Sequence, residues 1–176
     1  MRMFGRDPKA PADLTDALDL TRGHKVLAYA VDDNTGHTVA ACTAELAVVR
    51  DTEVLWRKPW SCVDTGQWSP DTWTLTITWI DRSKGVQFTF KDIDTRLPEV
   101  FHERVQASVV LSAALPTTGP GQSGRVVIRK DLRTGELFEQ VVLGRRTAPS
   151  DPAVAQAVEQ VSAHLRDQVG LPPERS

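Results

Sequence analysis

The chain has 176 residues, of which 40% are apolar and 25% are charged, and this balance is typical of a folded globular protein and not of a disordered one. Its 21 basic and 23 acidic side chains give a net charge near −2, so no overall attraction to nucleic acid or to an anionic membrane is expected. The longest apolar run, Val26–Val31, is much shorter than the roughly 20 residues that a membrane-spanning helix needs, so we expect no transmembrane segment.

The first ten residues include basic side chains but no apolar stretch like that of a signal peptide, so we predict a flexible tail and a cytoplasmic location. Residues 11–176 are the size of one ordinary domain, and we predict a single α+β domain over that range. In the cytoplasm Cys42 and Cys62 are expected to remain thiols that act as small apolar residues, with one disulfide between them as the alternative.

The segment after the tail predicts a short helix, because Leu14, Ala17 and Leu18 recur at helical spacing and Gly23 is suited to a C-cap. Two β-rich runs follow within residues 24–51, and the sequence DDNTG between them favours a hairpin turn. The paired carboxylates of Asp32 and Asp33 belong to this turn, so we interpret them as turn residues and not as an acid–base pair. The sequence RDTE indicates the next reversal of the chain.

The clearest strand covers residues 72–79, where apolar residues alternate with threonines. This alternation places Trp73, Leu75, Ile77 and Trp79 together on one face, which we predict to be core. A turn at DRSKG leads into a second alternating run, so residues 72–91 are predicted to form a hairpin. Upstream, Pro59 indicates a sheet edge, a bend or a bulge and not a central strand.

The stretch ERVQASVVLSAALP has two interpretations. In the first interpretation, a helix that begins near Leu97 and Pro98 continues through the whole stretch. This would put Arg104 inside the apolar stripe of the helix. In the second, the helix ends near Arg104 and a strand follows, with Val105, Ala107, Val109, Leu111 and Ala113 on one face. We favour the helix followed by a strand.

The last third of the chain predicts a hairpin and a helix. The hairpin consists of RVVIRK and ELFEQVVLG joined at DLRTG. The helix has Asp151 as N-cap, Pro152 in its first turn and Gly170 at its end, and its apolar stripe is expected to pack on a sheet face or an open barrel end. The stripe consists of Val154, Val158, Val161, Leu165 and Val169.

These elements together predict an α+β fold that is mostly antiparallel sheet, with about seven or eight strands in a half-barrel or a sandwich. A short N-terminal helix, a short middle helix and a C-terminal amphipathic helix complete the prediction.

No sequence motif indicates a catalytic or a metal site. The stretch GPGQSG, residues 119–124, matches G-x-G-x-x-G, but it leads into a strand and not into a helix, so we interpret it as a hairpin loop. The four histidines are isolated and lack the spacing of zinc ligands, and no G-x-S-x-G elbow is present. We therefore assign no catalytic residue, no metal and no cofactor.

All five tryptophans lie within 24 residues, which is the most unusual feature of the composition. Trp73 and Trp79 belong to the predicted core face. Trp56, Trp60 and Trp68 flank the irregular segment around Pro59, so they are candidates for a binding groove, with a core role as the alternative.

Three arginines are further candidates for binding. Arg104 stands where the middle helix ends, so it is suited to hold helix carbonyls or an ion pair, with ligand binding as the alternative. Arg125 and Arg129 share one face of a strand, which suits an anion, a phosphoinositide headgroup or an acidic partner. A solvated sheet edge protected by its charges explains the same two residues.

Three segments resemble a group of uncharacterised actinobacterial proteins of similar length: LDLTRGHKVLAYAV, VLWRKPWSCVDTGQW and RLPEVFHERVQASVVL. The strand order is also similar to a bacterial pleckstrin-homology-like (PH-like) arrangement, in which an antiparallel set of strands is closed by a C-terminal helix. The extra helix before the last three strands departs from that pattern. The resemblance implies a fold and a lineage, and it implies no activity.

Taken together, the sequence favours a non-enzymatic binding or adaptor domain for a protein partner, with no nucleic-acid binding expected. A module that binds an anion or a lipid headgroup through the basic C-terminal hairpin is one alternative. The other is an enzyme whose site is assembled only in three dimensions.

Overall fold

A computed structural model describes residues 9–91, 95–116 and 119–172. Within these residues the helices are α1 (Ala12–Leu18), α2 (Leu97–Ala107) and α3 (Pro152–Val169). The strands are β1 (Val26–Val31), β2 (Thr38–Cys42), β3 (Glu45–Arg50), β4 (Glu53–Pro59), β5 (Val63–Ser69), β6 (Thr74–Trp79), β7 (Val86–Thr89), β8 (Val109–Ala114), β9 (Gly124–Lys130) and β10 (Leu137–Leu143). The predicted α+β class, mostly antiparallel sheet with three helices, is confirmed, although the described residues form ten strands instead of seven or eight.

The strands form three antiparallel sheets, and the chain divides into two compact units, Met1–Gln106 and Ala107–Ser176. The first unit contains α1, sheet A in the order β1-β2-β3-β4 and sheet B in the order β5-β6-β7. The second contains sheet C in the order β10-β9-β8, together with α3. The single domain over residues 11–176 stays a prediction, and most of the predicted tail lies outside the described residues.

Helix α1 is shorter than the sequence predicted. It ends at Leu18, and Asp19 adopts the left-handed conformation with φ of 41°, donating its N–H to the carbonyls of Thr15 and Asp16. Gly23 is therefore not the C-cap. The prediction was wrong because aspartate also tolerates the left-handed region, so a glycine was not required. Leu14 and Leu18 pack on the side of sheet A that carries Ala40, Cys42, Ala47 and Val49.

The hairpin turn predicted at DDNTG is confirmed between β1 and β2, and it also covers strand β7. Asp32 is 1% exposed, and its carboxylate accepts hydrogen bonds from Thr35 N at 3.1 Å, Thr35 Oγ1 at 2.7 Å and Thr89 N at 2.8 Å. Asp33 N donates to Thr89 O at 2.9 Å. The interpretation of both aspartates as turn residues is thus confirmed, and the turn joins the β1–β2 hairpin to sheet B.

The second β-rich run contains two strands, β2 and β3, where the sequence had indicated one. The chain reverses at Thr43 and Ala44, and β2 pairs with β3 in the antiparallel direction. No glycine or proline marks this reversal, which is why the pattern did not reveal it. Pro59 ends β4 and precedes a 3₁₀ turn at Trp60–Cys62, so the predicted bend is confirmed.

Sheet B has one apolar and one polar face, as the alternation in the β6–β7 hairpin predicted. Trp68, Leu75 and Phe88 lie opposite one another across its three strands. On the other face, the hydroxyls of Thr65 and Thr78 are 2.7 Å apart. The hairpin is confirmed, but β6 begins at Thr74, so Trp73 is not part of the strand.

Helix α2 extends further than predicted. It ends at Ala107 and β8 begins at Val109, so the helix continues for three residues past Arg104 and Val105 is not in a strand. The intervening Ser108 is wholly buried, and its carbonyl accepts a hydrogen bond from Lys130 N at 2.8 Å. This hydrogen bond to β9 determines where β8 begins. The alternation of apolar and polar residues within the segment could not predict that position, because the bond joins residues far apart in the sequence.

Helix α3 packs on a face of sheet C, which is one of the two arrangements that the sequence predicted for it. Asp151 caps the helix by accepting from Ala153 N at 2.9 Å, and Gly170 ends it in the left-handed conformation. Leu165 packs with Val126 and Ile128 of β9, so the helix covers a sheet face. Glu139 of β10 accepts hydrogen bonds from two residues of the helix, Ser162 Oγ at 3.0 Å and Arg166 Nε at 2.8 Å.

Candidate functional site

Five aromatic rings form a continuous row in the first unit. Along this row the ring centroids of neighbouring residues are 5.9 Å apart for Trp79 and Trp56, 6.4 Å for Trp56 and Phe88, 6.3 Å for Phe88 and Phe90, and 6.4 Å for Phe90 and Trp68. The first pair is edge-to-face and the other three are stacked, which are the two arrangements that aromatic rings prefer.

The row combines buried and half-buried rings. Phe90 is wholly buried and Phe88 and Trp79 are nearly so, whereas Trp56 and Trp68 are half-buried. Two of the three tryptophans predicted to flank a groove are therefore part of the core on one side and accessible to solvent on the other. Their binding role stays a prediction.

Trp60 is a core residue. It is 1% exposed, its Nε1 donates to the carbonyl of Cys42 at 3.0 Å, and its ring meets Phe101 edge-to-face at 5.6 Å. The core alternative therefore applies to Trp60, because an indole closed off from solvent offers no surface to a partner.

Trp73 is the tryptophan that the sequence assigned wrongly. It was predicted to be core, but it is 43% exposed and has a φ of 55°. Its carbonyl accepts a hydrogen bond from Phe90 N at 2.9 Å, so the end of β7 helps to hold the backbone in place. A left-handed conformation is uncommon for a bulky residue, so this local geometry is strained. Pro70 and Asp71, two turn-forming residues just before it, were the available signal that the strand had not yet begun.

A charged group lies over one end of the aromatic row. Lys58 Nζ is 4.4 Å from the centroid of the Trp79 ring and 3.7 Å from Asp81 Oδ2. Hydrogen bonds from Ser83, with a smaller contribution from Lys58, lower the pKa of Asp81. The ammonium group is therefore held between an aromatic face and an anion.

The three candidate arginines lie in different surroundings. The Nε atom of Arg104 is, within the described residues, the one buried side-chain nitrogen or oxygen without a hydrogen-bond partner, so this atom does not hold the helix carbonyls as predicted. Arg125 is half-buried. Arg129 is 2% exposed, and its guanidinium donates to Gln140 Oε1 at 3.0 Å and to Ser108 Oγ at 2.9 Å. The exposed pair of arginines that the anion-binding alternative requires is therefore not present.

Both cysteines are thiols, as predicted. Cys42 is wholly buried, and burial, with a smaller contribution from the carboxylate of Glu45, raises its pKa to about 12. Arg57 opposes this shift and pairs with Glu45 at 3.1 Å. Since the thiolate is the reactive form, the environment of Cys42 suits a structural role and not a nucleophile.

No group of three or more His, Cys, Asp or Glu side chains that could hold a metal ion occurs within residues 9–91, 95–116 and 119–172. The helices of the same residues include none with the length and apolar character that crossing a membrane requires.

Comparisons with known proteins add no relative to these observations. No protein-family model matches the chain, and no curated protein matches it. We therefore take as the candidate site the accessible tryptophans of the first unit, Trp56, Trp68 and Trp73, which we call the tryptophan surface. Trp73 is connected to the aromatic row through its carbonyl, which accepts a hydrogen bond from Phe90 N.

Proposed function

We propose that this chain is a non-enzymatic binding domain for a protein partner, and that it contacts the partner through the tryptophan surface of its first unit. The observation that carries the proposal is Trp73, which is 43% exposed and held in a left-handed conformation.

An exposed tryptophan at a strained position is costly in two ways. Its large apolar surface faces water, and its backbone occupies a region of φ that bulky residues avoid. Such strain is concentrated at functional sites, and tryptophan is among the residues most enriched in the energetic centres of protein interfaces. A partner that covers the indole removes the first of these costs.

The half-buried rings of Trp56 and Trp68 support the same proposal. Each stacks on a phenylalanine of the aromatic row, Trp56 on Phe88 and Trp68 on Phe90, so neither ring has to be ordered when a partner arrives. Rigid aromatic side chains give contact area at a low cost in conformational entropy.

The two alternatives receive less support. An anion-binding module requires accessible guanidinium groups, and that of Arg129 is buried and hydrogen-bonded to Ser108 and Gln140. For the enzyme hypothesis, we find no favourable observation within the described part of the chain. The cytoplasmic location and the likeness to the actinobacterial PH-like family belong to the proposal as expectations from the sequence.

The proposal is tested by quantitative affinity capture from a lysate of the organism that encodes the chain. Trp73→Gly is the appropriate variant, because glycine accepts the left-handed conformation and the fold is preserved. Val141→Ala is the matched control, since Val141 is a 39% exposed apolar residue of the second unit.

We expect Trp73→Gly to reduce the recovery of at least one partner by about tenfold or more, as loss of an interface hot spot does, while Val141→Ala leaves it unchanged. Equal recovery by the wild type and Trp73→Gly would refute the proposal. Trp60→Ala is unsuitable as the test variant, because Trp60 is buried and its removal opens a cavity in the core.

A further inference from the structure

Most outer strands of the three sheets carry a feature that discourages pairing with another chain. Charges, proline, bulges and covering segments are the usual means. Strand β4 carries Arg57, Lys58 and Pro59, and β5 carries Asp64 and a bulge near its start. Strand β10 carries Glu139.

Two other outer strands are covered by segments of their own unit. The turn between β1 and β2 lies along β7, where Asp33 N donates to Thr89 O at 2.9 Å. The hydroxyl of Thr95 donates to the carbonyl of Tyr29 on β1 at 3.3 Å. Both β7 and β1 thus have outward-facing backbone carbonyls that already accept hydrogen bonds within the chain.

Strand β8 also has a bulge, between Val109 and Leu111, but unlike these five strands it carries neither a charged side chain nor, among the described residues, a covering segment. Its sequence, VVLSAA, has no charged residue and no proline, and no charged residue occurs anywhere in residues 105–116. Val109 and Val110 are 36% and 39% exposed, and Ser112 and Ala114 are exposed as well. On the side away from β9, no strand of the described residues pairs with it. Such an uncharged apolar edge is a template for adding a strand.

We propose that β8 pairs with β8 of a second copy of this chain, antiparallel and around a two-fold axis at Ser112. The two copies of sheet C then form one continuous sheet in the order β10-β9-β8-β8-β9-β10.

The direction of the backbone groups fits this pairing. Leu115 N donates to Gly124 O of β9, and the direction of backbone groups alternates along a strand. Ser112 and Ala114 therefore direct their N–H and C=O groups away from β9. With the axis at Ser112, the two copies of Ser112 form a hydrogen-bonded pair, and Val110 lies opposite Ala114 on both sides of it. Because the bulge interrupts the regular pattern at Val110, this pattern holds from Leu111 onward, and the Ser112 pair supplies two hydrogen bonds between the two strands.

Side-chain size and charge explain why the occupant is a second copy. The apolar residues of β8 are large at its start and small at its end, so antiparallel self-pairing puts Val110 opposite Ala114 and Leu111 opposite Ala113. Leu111 and Ala113 both lie on the face of sheet C that α3 covers, so the two faces of the sheet match across the axis. No charges meet, and because each copy has one β8, the pairing closes at two chains.

The test is the molar mass of the purified chain, measured by light scattering after size exclusion between about 1 and 100 µM, where interfaces of modest area associate. We expect the wild type to reach twice the mass of one chain. Ser112→Lys puts two ammonium groups opposite each other and is expected to remain a single chain at every concentration. Val141→Lys makes the same change of charge at an exposed position on the other outer strand of sheet C, and it is expected to dimerise like the wild type.

A second variant gives a positive signal. Residues directly opposite in a hydrogen-bonded antiparallel pair have Cα atoms about 5.5 Å apart, which a disulfide can span. Ser112→Cys is therefore expected to form a covalent dimer under mild oxidation, while Val141→Cys and the wild type do not.

A wild-type chain that stays single at the highest concentration would overturn the proposal, as would a dimer that survives Ser112→Lys. Trp73→Gly is expected to dimerise like the wild type, which separates this interface from the tryptophan surface. A dimer that is lost in Trp73→Gly and retained in Ser112→Lys would place the interface on the tryptophan surface instead.

Discussion

A methyl group at Gly66 would lie only 2.0 Å from Cε1 of Phe101, so the ring of α2 fills the space above β5 that any other residue at position 66 would need. Gly66→Ala is therefore expected to lower the free energy of unfolding by about 1–3 kcal/mol through overpacking. Urea denaturation measures the loss.

The matched control is Phe101→Leu in the Gly66→Ala background. If the clash is the cause, the double variant loses less stability than the sum of the two single variants. A Gly66→Ala protein within about 0.5 kcal/mol of the wild type would mean that the helix moves aside at little cost.

Arg57 joins a buried carboxylate to the end of α1. Its guanidinium donates to Glu45 Oε1 at 3.1 Å and to the carbonyl of Leu18. Arg57→Ala leaves the Glu45 side chain, which is 4% exposed, without this cation. We expect a loss of about 2–4 kcal/mol, somewhat below the cost for a fully buried pair, because the Arg57 side chain is 34% exposed.

Arg50→Ala is the control for this prediction. Arg50 and its partner Glu53 are both exposed, and exposed ion pairs contribute less than about 1 kcal/mol to stability. Equal losses in the two variants would contradict a special contribution from Arg57.

The buried thiol of Cys42 makes stability depend on alkaline pH. Its pKa is about 12 in the folded chain against an ordinary value of 9.0, so between these values the unfolded chain binds fewer protons than the folded one. This group therefore lowers stability by about 1.4 kcal/mol for each pH unit above roughly 9.

Cys42→Ala isolates this effect, because the other titrating groups are common to both proteins. The wild type is expected to be more stable than Cys42→Ala at pH 8. This difference in the free energy of unfolding, measured by denaturation, is expected to be about 2 kcal/mol smaller at pH 10.5. An advantage that stays constant over this range would show that the thiol does not titrate as described.

At position 73, glycine is expected to give a more stable protein than alanine, which is the opposite of the order expected at ordinary strand positions. Its φ of 55° costs a residue with a Cβ atom about 1 kcal/mol or more, so Trp73→Gly is expected to be more stable than Trp73→Ala by about that amount. Thermal unfolding of the two variants measures the difference.

The same pair of substitutions at Thr76, an exposed position within β6, is expected to give the opposite order, since glycine weakens a strand. Trp73→Ala equal to or more stable than Trp73→Gly would remove the argument for strain at this site.

Local signals in the sequence were sufficient for several elements. The caps of α3, Asp151 and Gly170, lie beside the helix they terminate, and the alternation through Leu75 and Ile77 specifies one face of β6. Hairpin turns were predicted for the same reason, because aspartate, asparagine and glycine act on their own backbone.

The candidate site was predicted only in part. Trp56 and Trp68 were named from the sequence, whereas Trp73 was assigned to the core because it continues the alternation of a strand that begins one residue later. Arg129 was expected near solvent, but its hydrogen bonds to Ser108 and Gln140 hold it inside. In both cases the periodicity was present, and contacts with residues distant in the sequence decided the outcome.

The sequence by itself determined the α+β class, the two clearest hairpins and the C-terminal helix, since periodicity, caps and turn residues act over a few neighbouring positions. Only the tertiary structure decided where α2 ends, which tryptophan faces solvent and which strands form the outer edges of the sheets. Each of those outcomes depends on hydrogen bonds and packing between segments that lie far apart along the chain, and no short stretch of sequence contains that information.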